Sequence, residues 1–376
     1  MKYLVTLFIF SFCTGHCFSR VRDLGIPLPG TTGKLNSLAD IQGVEVGHVT
    51  IIAGKGPLII GKGPVRTGVT AIFPKGKVNI PVPAAWFSLN GNGELTGTTW
   101  IEETGFLDGP IILTNTNSVG VARDAVQSWA NLNLASKENT LADDPASLPV
   151  VGETWDGRLN DLRGNHVTKE KVFEALNNAK PGPFAEGNVG GGTGMVSFGY
   201  KSGIGTSSRQ IQIGKEKYML GALVQSNFGT RDELQINGKN IAKIFKDPIP
   251  KLNLSSQKDG SIIVVIGTDA PLLSHQLKRV AKRVSLGIGK VGGIAHDSSG
   301  DIFIAFSTRV PKKHKQLLVY ESIPNEDMDE IFRATIEATE EAILNALVAA
   351  TGMTGINENR VEAISHEKLR TLFQNR

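Results

Sequence analysis

The chain has 376 residues, of which 40% are hydrophobic and 20% charged, with a net charge of +4. This is the composition of a globular protein with a sizeable core, and it excludes disorder. The small charge excess, with no basic run interleaved with aromatics, excludes a nucleic-acid binder. The 43 glycines set against 6% aromatics predict close backbone packing and many tight turns.

Met1-Lys2 precede an apolar run from Tyr3 to Phe12, followed by the small residues Gly15, Cys17 and Ser19. This layout predicts a secretory signal peptide over residues 1–19, too short to span a membrane. Both cysteines, Cys13 and Cys17, fall inside it. The mature chain would then need no disulfide and could be neither a thiol enzyme nor a Cys-ligated zinc protein. The scattered histidines offer no metal motif, and no cofactor is expected.

Residues 20–40 are polar and turn-rich and read as an arm before the domain. Alternation predicts strands over Val44–Ile51 and Thr67–Phe73. The Gly-Lys-Gly turns between them lack P-loop spacing and read as exposed turns. Gly109-Pro110 enters a short strand, and Ser118 can cap a helix carrying Ala122, Val126 and Trp129 at helical spacing. After a polar loop at 136–148 comes Val150-Val151-Gly152-Glu153-Thr154-Trp155-Asp156-Gly157. As strand neighbours two apart, Glu153 and Trp155 would face the same way. On the residues alone, Glu153 reads equally well as a solvated carboxylate at a strand end.

Lys169–Ala179 reads as a helix. The glycine-rich Gly187–Met195 lacks the lysine of a P-loop and reads as close packing in a core. Strands follow at Gln210–Ile213 and Tyr218–Asn227, and Asn227 sits where an amide can donate into a cleft. Residues 229–259 read as an exposed linker that runs into Asp259-Gly260-Ser261. The run Ile262–Ile266 is entirely β-branched, which predicts a strand buried on both faces with Ser261 at its mouth. Asp-Gly-Ser before such a strand is first of all a turn. Asp269 and Pro271 suit the start of the next helix, which shows Leu273, Leu277, Val280, Ala281 and Val284 on one face. Ser299-Gly300-Asp301 precedes another buried strand, and Asn325 or Glu326 opens the longest helix.

The ordered set Arg22-Asp23-Leu24-Gly25-Ile26, Val46-Gly47-His48-Val49-Thr50, Glu153-Thr154-x-Asp156-Gly157, Gly190 to Met195, Gly260-Ser261, Thr268-Asp269-Ala270-Pro271-Leu272, His275-Gln276-Leu277 and Ser299-Gly300-Asp301-Ile302-Phe303 resembles the D-aminopeptidase/β-peptidyl aminopeptidase family of self-processing serine aminopeptidases. The likeness runs from about residue 20 to about residue 350. It implies an α+β fold: a four-layer αββα sandwich like that of N-terminal-nucleophile hydrolases, with different connectivity. It implies cleavage between Gly260 and Ser261, giving an α chain over 20–260 and a β chain over 261–376 of one catalytic domain. Ser261 would be the nucleophile, Ser299 and Asp301 a relay, Asn227 the oxyanion donor, and Glu153 the group that binds the substrate's ammonium. The substrate would be a short peptide, amide or ester, and the assembly a homotetramer of αβ pairs.

The freed α-amine of Ser261, with a reference pKa of about 7.7–8.0, is a second way to activate the hydroxyl, and the sequence does not choose between amine and relay. Trp155 stands where the family pattern has tyrosine, and an indole N–H cannot deliver a hydroxyl proton. Two alternatives are an acyltransferase of the ornithine acetyltransferase type and a secreted ligand-binding protein without catalysis.

Overall fold

The computed structural model describes residues 19–134, 148–251 and 260–374. Residues 1–18 of the expected signal peptide, most of the 136–148 loop, and Asp259 lie outside them. The strands that matter are β1 (Glu45–Ala53), β2 (Val65–Phe73), β3 (Val82–Gly91), β4 (Phe106–Leu107), β5 (Ile111–Asn115), β6 (Val150–Thr154), β7 (Ile204–Ile213), β8 (Glu216–Asn227), β9 (Ser261–Thr268) and β10 (Gly300–Ser307). The helices are α1 (Thr98–Thr104), α2 (Val119–Asn133), α3 (Lys169–Asn178), α4 (Ile241–Phe245), α5 (Ser274–Lys290), α6 (Asp329–Val348) and α7 (His366–Gln374).

The two large sheets have the orders β1-β2-β5-β6 and β4-β3-β10-β9-β8-β7. Alternation along β9 shows why they stack. Ile262, Val264 and Ile266 join Leu277, Val280, Val284, Ile343 and Leu347 in the core between the larger sheet and α5 and α6. Ile263 and Val265 join Leu113, Val150 and Ile72 in the core between the sheets. On the far side of the smaller sheet, Val69, Ile112 and Val151 pack against Ala122, Val126, Trp129, Val172 and Leu176 of α2 and α3. The layers are therefore helix, sheet, sheet, helix, as expected. Each fully buried aliphatic side chain of β9 contributes about 1.5–3 kcal/mol, which makes this strand a rigid base for the residue at its mouth. No helix among the described residues is long and apolar enough to cross a membrane.

Several local expectations are corrected. Residues 20–40 are not a free arm. Val21, Leu24 and Ile26 are buried, and the Arg22 guanidinium lies 2.8 Å from the Glu341 carboxylate, which also holds Arg209 at 2.8 Å. The described part of the 229–259 linker is packed at its start, where Leu234, Ile236 and Ile241 are buried at the entry to α4, and exposed further on, with Ile244 and Ile249 open to solvent. The Ser118 side chain makes no capping bond. Asp269 does not cap α5 either. Its carboxylate instead accepts the Met219 N–H at 2.7 Å, and the Gln276 side chain accepts the Leu273 N–H at 3.0 Å at the helix start. The longest helix begins at Asp329, after a 3-10 turn over Asn325–Asp327. The tail beyond 356 forms α7, which buries Leu369 and Phe373.

The glycine-rich stretch is close packing, as expected. A Cβ on Gly191 would lie 2.0 Å from Gln225 Oε1, and one on Gly190 2.2 Å from Thr70 Oγ1.

Candidate active site

Strand pairing assembles the site. Antiparallel β8 and β9 put Asn227 opposite Ser261, and parallel β9 and β10 put Ile262 opposite Asp301. The mouths of three neighbouring strands thus carry the amide, the hydroxyl and the carboxylate. Ser261 is 6% exposed, and its Oγ accepts the Gly300 N–H at 3.2 Å. Ser299 Oγ donates to Asp301 Oδ1 at 2.7 Å. Burial pushes the Asp301 carboxyl up to about 6, against the lowering effect of the Ser299 hydroxyl and the Ile262 backbone.

Position 260 admits only glycine. A Cβ there would lie 1.3 Å from the Asn227 carbonyl oxygen and 3.0 Å from Phe228 Cα. The reason is close approach of two backbones. Gly260→Ala is expected to cost about 3 kcal/mol or more in a denaturant titration of the intact chain, because a strand end has to move.

Asn227 is held at both ends of its amide. Oδ1 accepts the Val196 N–H at 2.9 Å, with the Arg158 guanidinium at 3.5 Å, and Nδ2 donates to the Trp155 carbonyl at 2.9 Å. This fixes the orientation of the amide and leaves the second Nδ2 hydrogen for a ligand.

Glu153 is not a solvated strand end. It is 3% exposed; Oε1 accepts the Glu94 N–H at 3.1 Å, and Oε2 accepts the Thr116 hydroxyl. Desolvation raises its pKa, against those two hydrogen bonds. A Cβ on Gly93 would lie 3.2 Å from both Glu153 Oε1 and Gly300 Cα, so the carboxylate lies close to the Ser261 end of β10. A cavity of about 320 Å³ opens beside it, lined by Trp86, Ser88, Gly93, Leu95 and Ile302.

β6 ends at Thr154, so Trp155 does not share a strand face with Glu153. Trp155 reaches Asn227 through its backbone carbonyl, while its indole lies 5.5 Å from the Arg158 guanidinium. Gly157 makes room for that indole, since a Cβ there would lie 2.4 Å from the ring.

The structure thus brings Ser261, Asn227, Ser299, Asp301, Glu153 and Trp155 together. Sequence reasoning missed Gly300, Thr116, Glu94 and Val196. Their contributions are backbone or hydroxyl contacts set by strand pairing, and no residue-type signal announces them.

The αββα sandwich, with a buried serine, an amide and a carboxylate at the mouths of adjacent strands of one sheet, has the architecture of the Ntn hydrolase fold. The profile of peptidase family S58 matches residues 36–361. Beta-peptidyl aminopeptidase BapA of Sphingosinicella microcystinivorans is 46% identical over 371 residues, covering 94% of this chain and 92% of that protein. The solved structure of the L-aminopeptidase D-Ala-esterase/amidase of Ochrobactrum anthropi is described as a prototype for the serine aminopeptidases and a variant of the Ntn hydrolase fold. It superposes with a TM-score of 0.87 at 44% identity, over 94% of this chain and 98% of that one. A Burkholderia beta-aminopeptidase superposes with a TM-score of 0.84 at 40% identity, over 95% and 98%. The chain belongs to peptidase family S58 and is a serine aminopeptidase.

Proposed function

We propose that the protein is secreted, cuts itself between Gly260 and Ser261, and then uses Ser261 to remove N-terminal residues from short peptides, amides or esters. The observation that carries this reading is the placement of Ser261. Its hydroxyl sits at the start of a doubly buried strand, opposite Asn227, with Gly260 pressed against the Asn227 carbonyl.

In the intact chain, Ser261 Oγ attacks the Gly260 carbonyl and the 260–261 C–N bond breaks. Breaking that bond frees the Ser261 amine, which takes up a proton, and leaves the acyl group on Oγ as an ester; water hydrolyses the ester and releases the Gly260 carboxylate and the Ser261 hydroxyl. No α-amine exists before this step, so the Ser299–Asp301 pair is the group available to draw off the hydroxyl proton. After cleavage the amine, with a reference pKa of about 7.7–8.0, serves as a base for peptide hydrolysis. Ser261 Oγ then forms an ester with the substrate's acyl group, the leaving amine takes a proton, and water releases the acid. The Asn227 amide donates to the oxyanion, a contact worth on the order of 3 kcal/mol. Glu153 pairs with the substrate's ammonium, which restricts cleavage to the first residue. The cavity at Trp86, Leu95 and Ile302 takes that residue's side chain.

Relatives named for β-peptidyl and for L- and D-Ala substrates make L-, D- and β-residues the chemistries to compare. Aminoacyl p-nitroanilides of all three classes test the reading. Hydrolysis of at least one is expected, and only slow residual hydrolysis of the N-acetylated versions. No hydrolysis of any free-amine substrate by cleaved protein would contradict it. We also infer assembly into a homotetramer of cleaved pairs. The exposed apolar hairpin residues Leu317, Leu318, Val319 and Tyr320, close to Ile80 and Trp100, support it, and light scattering checks it.

Asp301 supplies a pH prediction. Below about pH 6 its carboxyl is protonated and cannot draw on Ser299, so the rate of chain cleavage is expected to fall about tenfold per pH unit there. The sign for stability is opposite. A folded pKa above the ordinary value means this group's stabilising contribution is full at low pH and is lost as pH rises through about 6. Asp301→Asn should slow cleavage about 100-fold or more and remove the acidic limb. A limb that persists in the variant assigns it to another group.

A further inference from the structure

Lys201 is fully buried, yet none of its hydrogen-bond or ion-pair partners among the described residues is a carboxylate. It lies in a short hairpin in which Lys201 pairs with Val196. Its Nζ donates to the Met195 carbonyl at 2.8 Å and to the Ser202 carbonyl at 2.5 Å. Burial alone pulls its pKa down to about 7. An ammonium with no counter-charge is costly to bury, and a hairpin of this kind closes well around an apolar side chain of the same length.

What Lys201 holds is specific. The carbonyl of Met195 and the N–H of Val196 belong to one peptide group. That group takes the Lys201 ammonium on its oxygen and donates its N–H to Asn227 Oδ1 at 2.9 Å. The Asn227 amide in turn donates from Nδ2 to the Trp155 carbonyl at 2.9 Å, with one Nδ2 hydrogen left over. The line runs from ammonium to peptide to side-chain amide, and each hydrogen bond polarises the next.

We propose that Lys201 is a positioning residue for the oxyanion site: through the Met195–Val196 peptide it fixes the Asn227 amide and strengthens it as a donor. This rests on the reading of Asn227 as the oxyanion donor. Lys201 touches no substrate. Its effect falls on the transition state, where charge develops on the oxygen that Asn227 meets, and not on ground-state binding.

The test is a double-mutant cycle with Lys201→Met and Asn227→Ala on an aminoacyl p-nitroanilide, with rates expressed per cleaved chain and the half-time of chain cleavage followed in parallel. Asn227→Ala should lower kcat about 100- to 1,000-fold. Lys201→Met should lower kcat about 10- to 100-fold with KM changed less than about threefold, and should slow chain cleavage in the same proportion. In the Asn227→Ala background the lysine substitution should change kcat less than about threefold. A wild-type kcat in Asn227→Ala removes the oxyanion reading itself. A reduced kcat in Asn227→Ala with a normal kcat in Lys201→Met, or losses that multiply in the double variant, overturns the role of Lys201 alone. If Lys201→Met does not fold, Lys201→Gln, which keeps a donor and drops the charge, should show the same non-multiplying loss. A wild-type kcat in Lys201→Gln would overturn the proposal.

Discussion

Ser261→Ala is expected to yield a single uncut chain with no measurable hydrolysis, a loss on the order of 10⁶ in kcat, as removal of a nucleophile gives when nothing replaces it. The substitution is mild structurally. Among the described residues, Ser261 Oγ takes part in one hydrogen bond, from the Gly300 N–H at 3.2 Å, and leaving that N–H unpaired costs about 1–3 kcal/mol. The strand that follows is held by Ile262 to Ile266, all fully buried, so the variant should fold. Both readouts then report chemistry. Chain cleavage is followed on a denaturing gel, and hydrolysis with a p-nitroanilide. Wild-type hydrolysis by an uncut Ser261→Ala chain would require a different nucleophile.

Glu153→Gln is expected to lower kcat/KM for free-amine substrates about 30- to 1,000-fold, the equivalent of roughly 2–4 kcal/mol for losing one partner of a desolvated charge pair. The physical basis is burial. The carboxylate is 3% exposed and, among the described residues, receives the Glu94 N–H and the Thr116 hydroxyl. Desolvation raises its pKa against the hydrogen bonds it accepts, so an ammonium placed beside it is expected to favour the charged carboxylate. Glutamine keeps the shape and loses the charge. Slow residual hydrolysis of an N-acetylated substrate should be nearly unaffected. An equal loss on both substrates would mean that Glu153 shapes the site without binding the amine.

Much of the fold was legible where local chemistry decides it. The β-branched run at Ile262–Ile266 reads as a doubly buried strand because both of its faces are needed, one for α5 and α6 and one for the second sheet. The apolar stripe of α5 was legible for the same reason. Where burial is achieved with polar partners, the pattern misleads. The strand predicted at Gln210–Ile213 in fact starts at Ile204. The stretch ahead of Gln210 holds Ser207, Ser208 and Arg209, which are buried because Ser207 donates to the Ala338 carbonyl and Arg209 pairs with Glu341. Residues 20–40 looked like an arm because they are polar and turn-rich, but Arg20 and Arg22 find carboxylates, Glu186 and Glu341.

In the site, Ser261, Ser299 and Asp301 were legible as polar residues at strand mouths. The roles of Asn227 and Glu153 came only from the family resemblance. The Gly300 N–H, the Thr116 hydroxyl and the buried Lys201 depend on which strands pair and in what register, and no local period encodes that.

The central claim is that Ser261 becomes an N-terminus. Intact mass and N-terminal sequencing of the purified wild-type protein test it most directly. Two chains are predicted, the smaller running from Ser261 to Arg376. A hydrolytically active protein in which residues 260 and 261 remain joined would contradict the account.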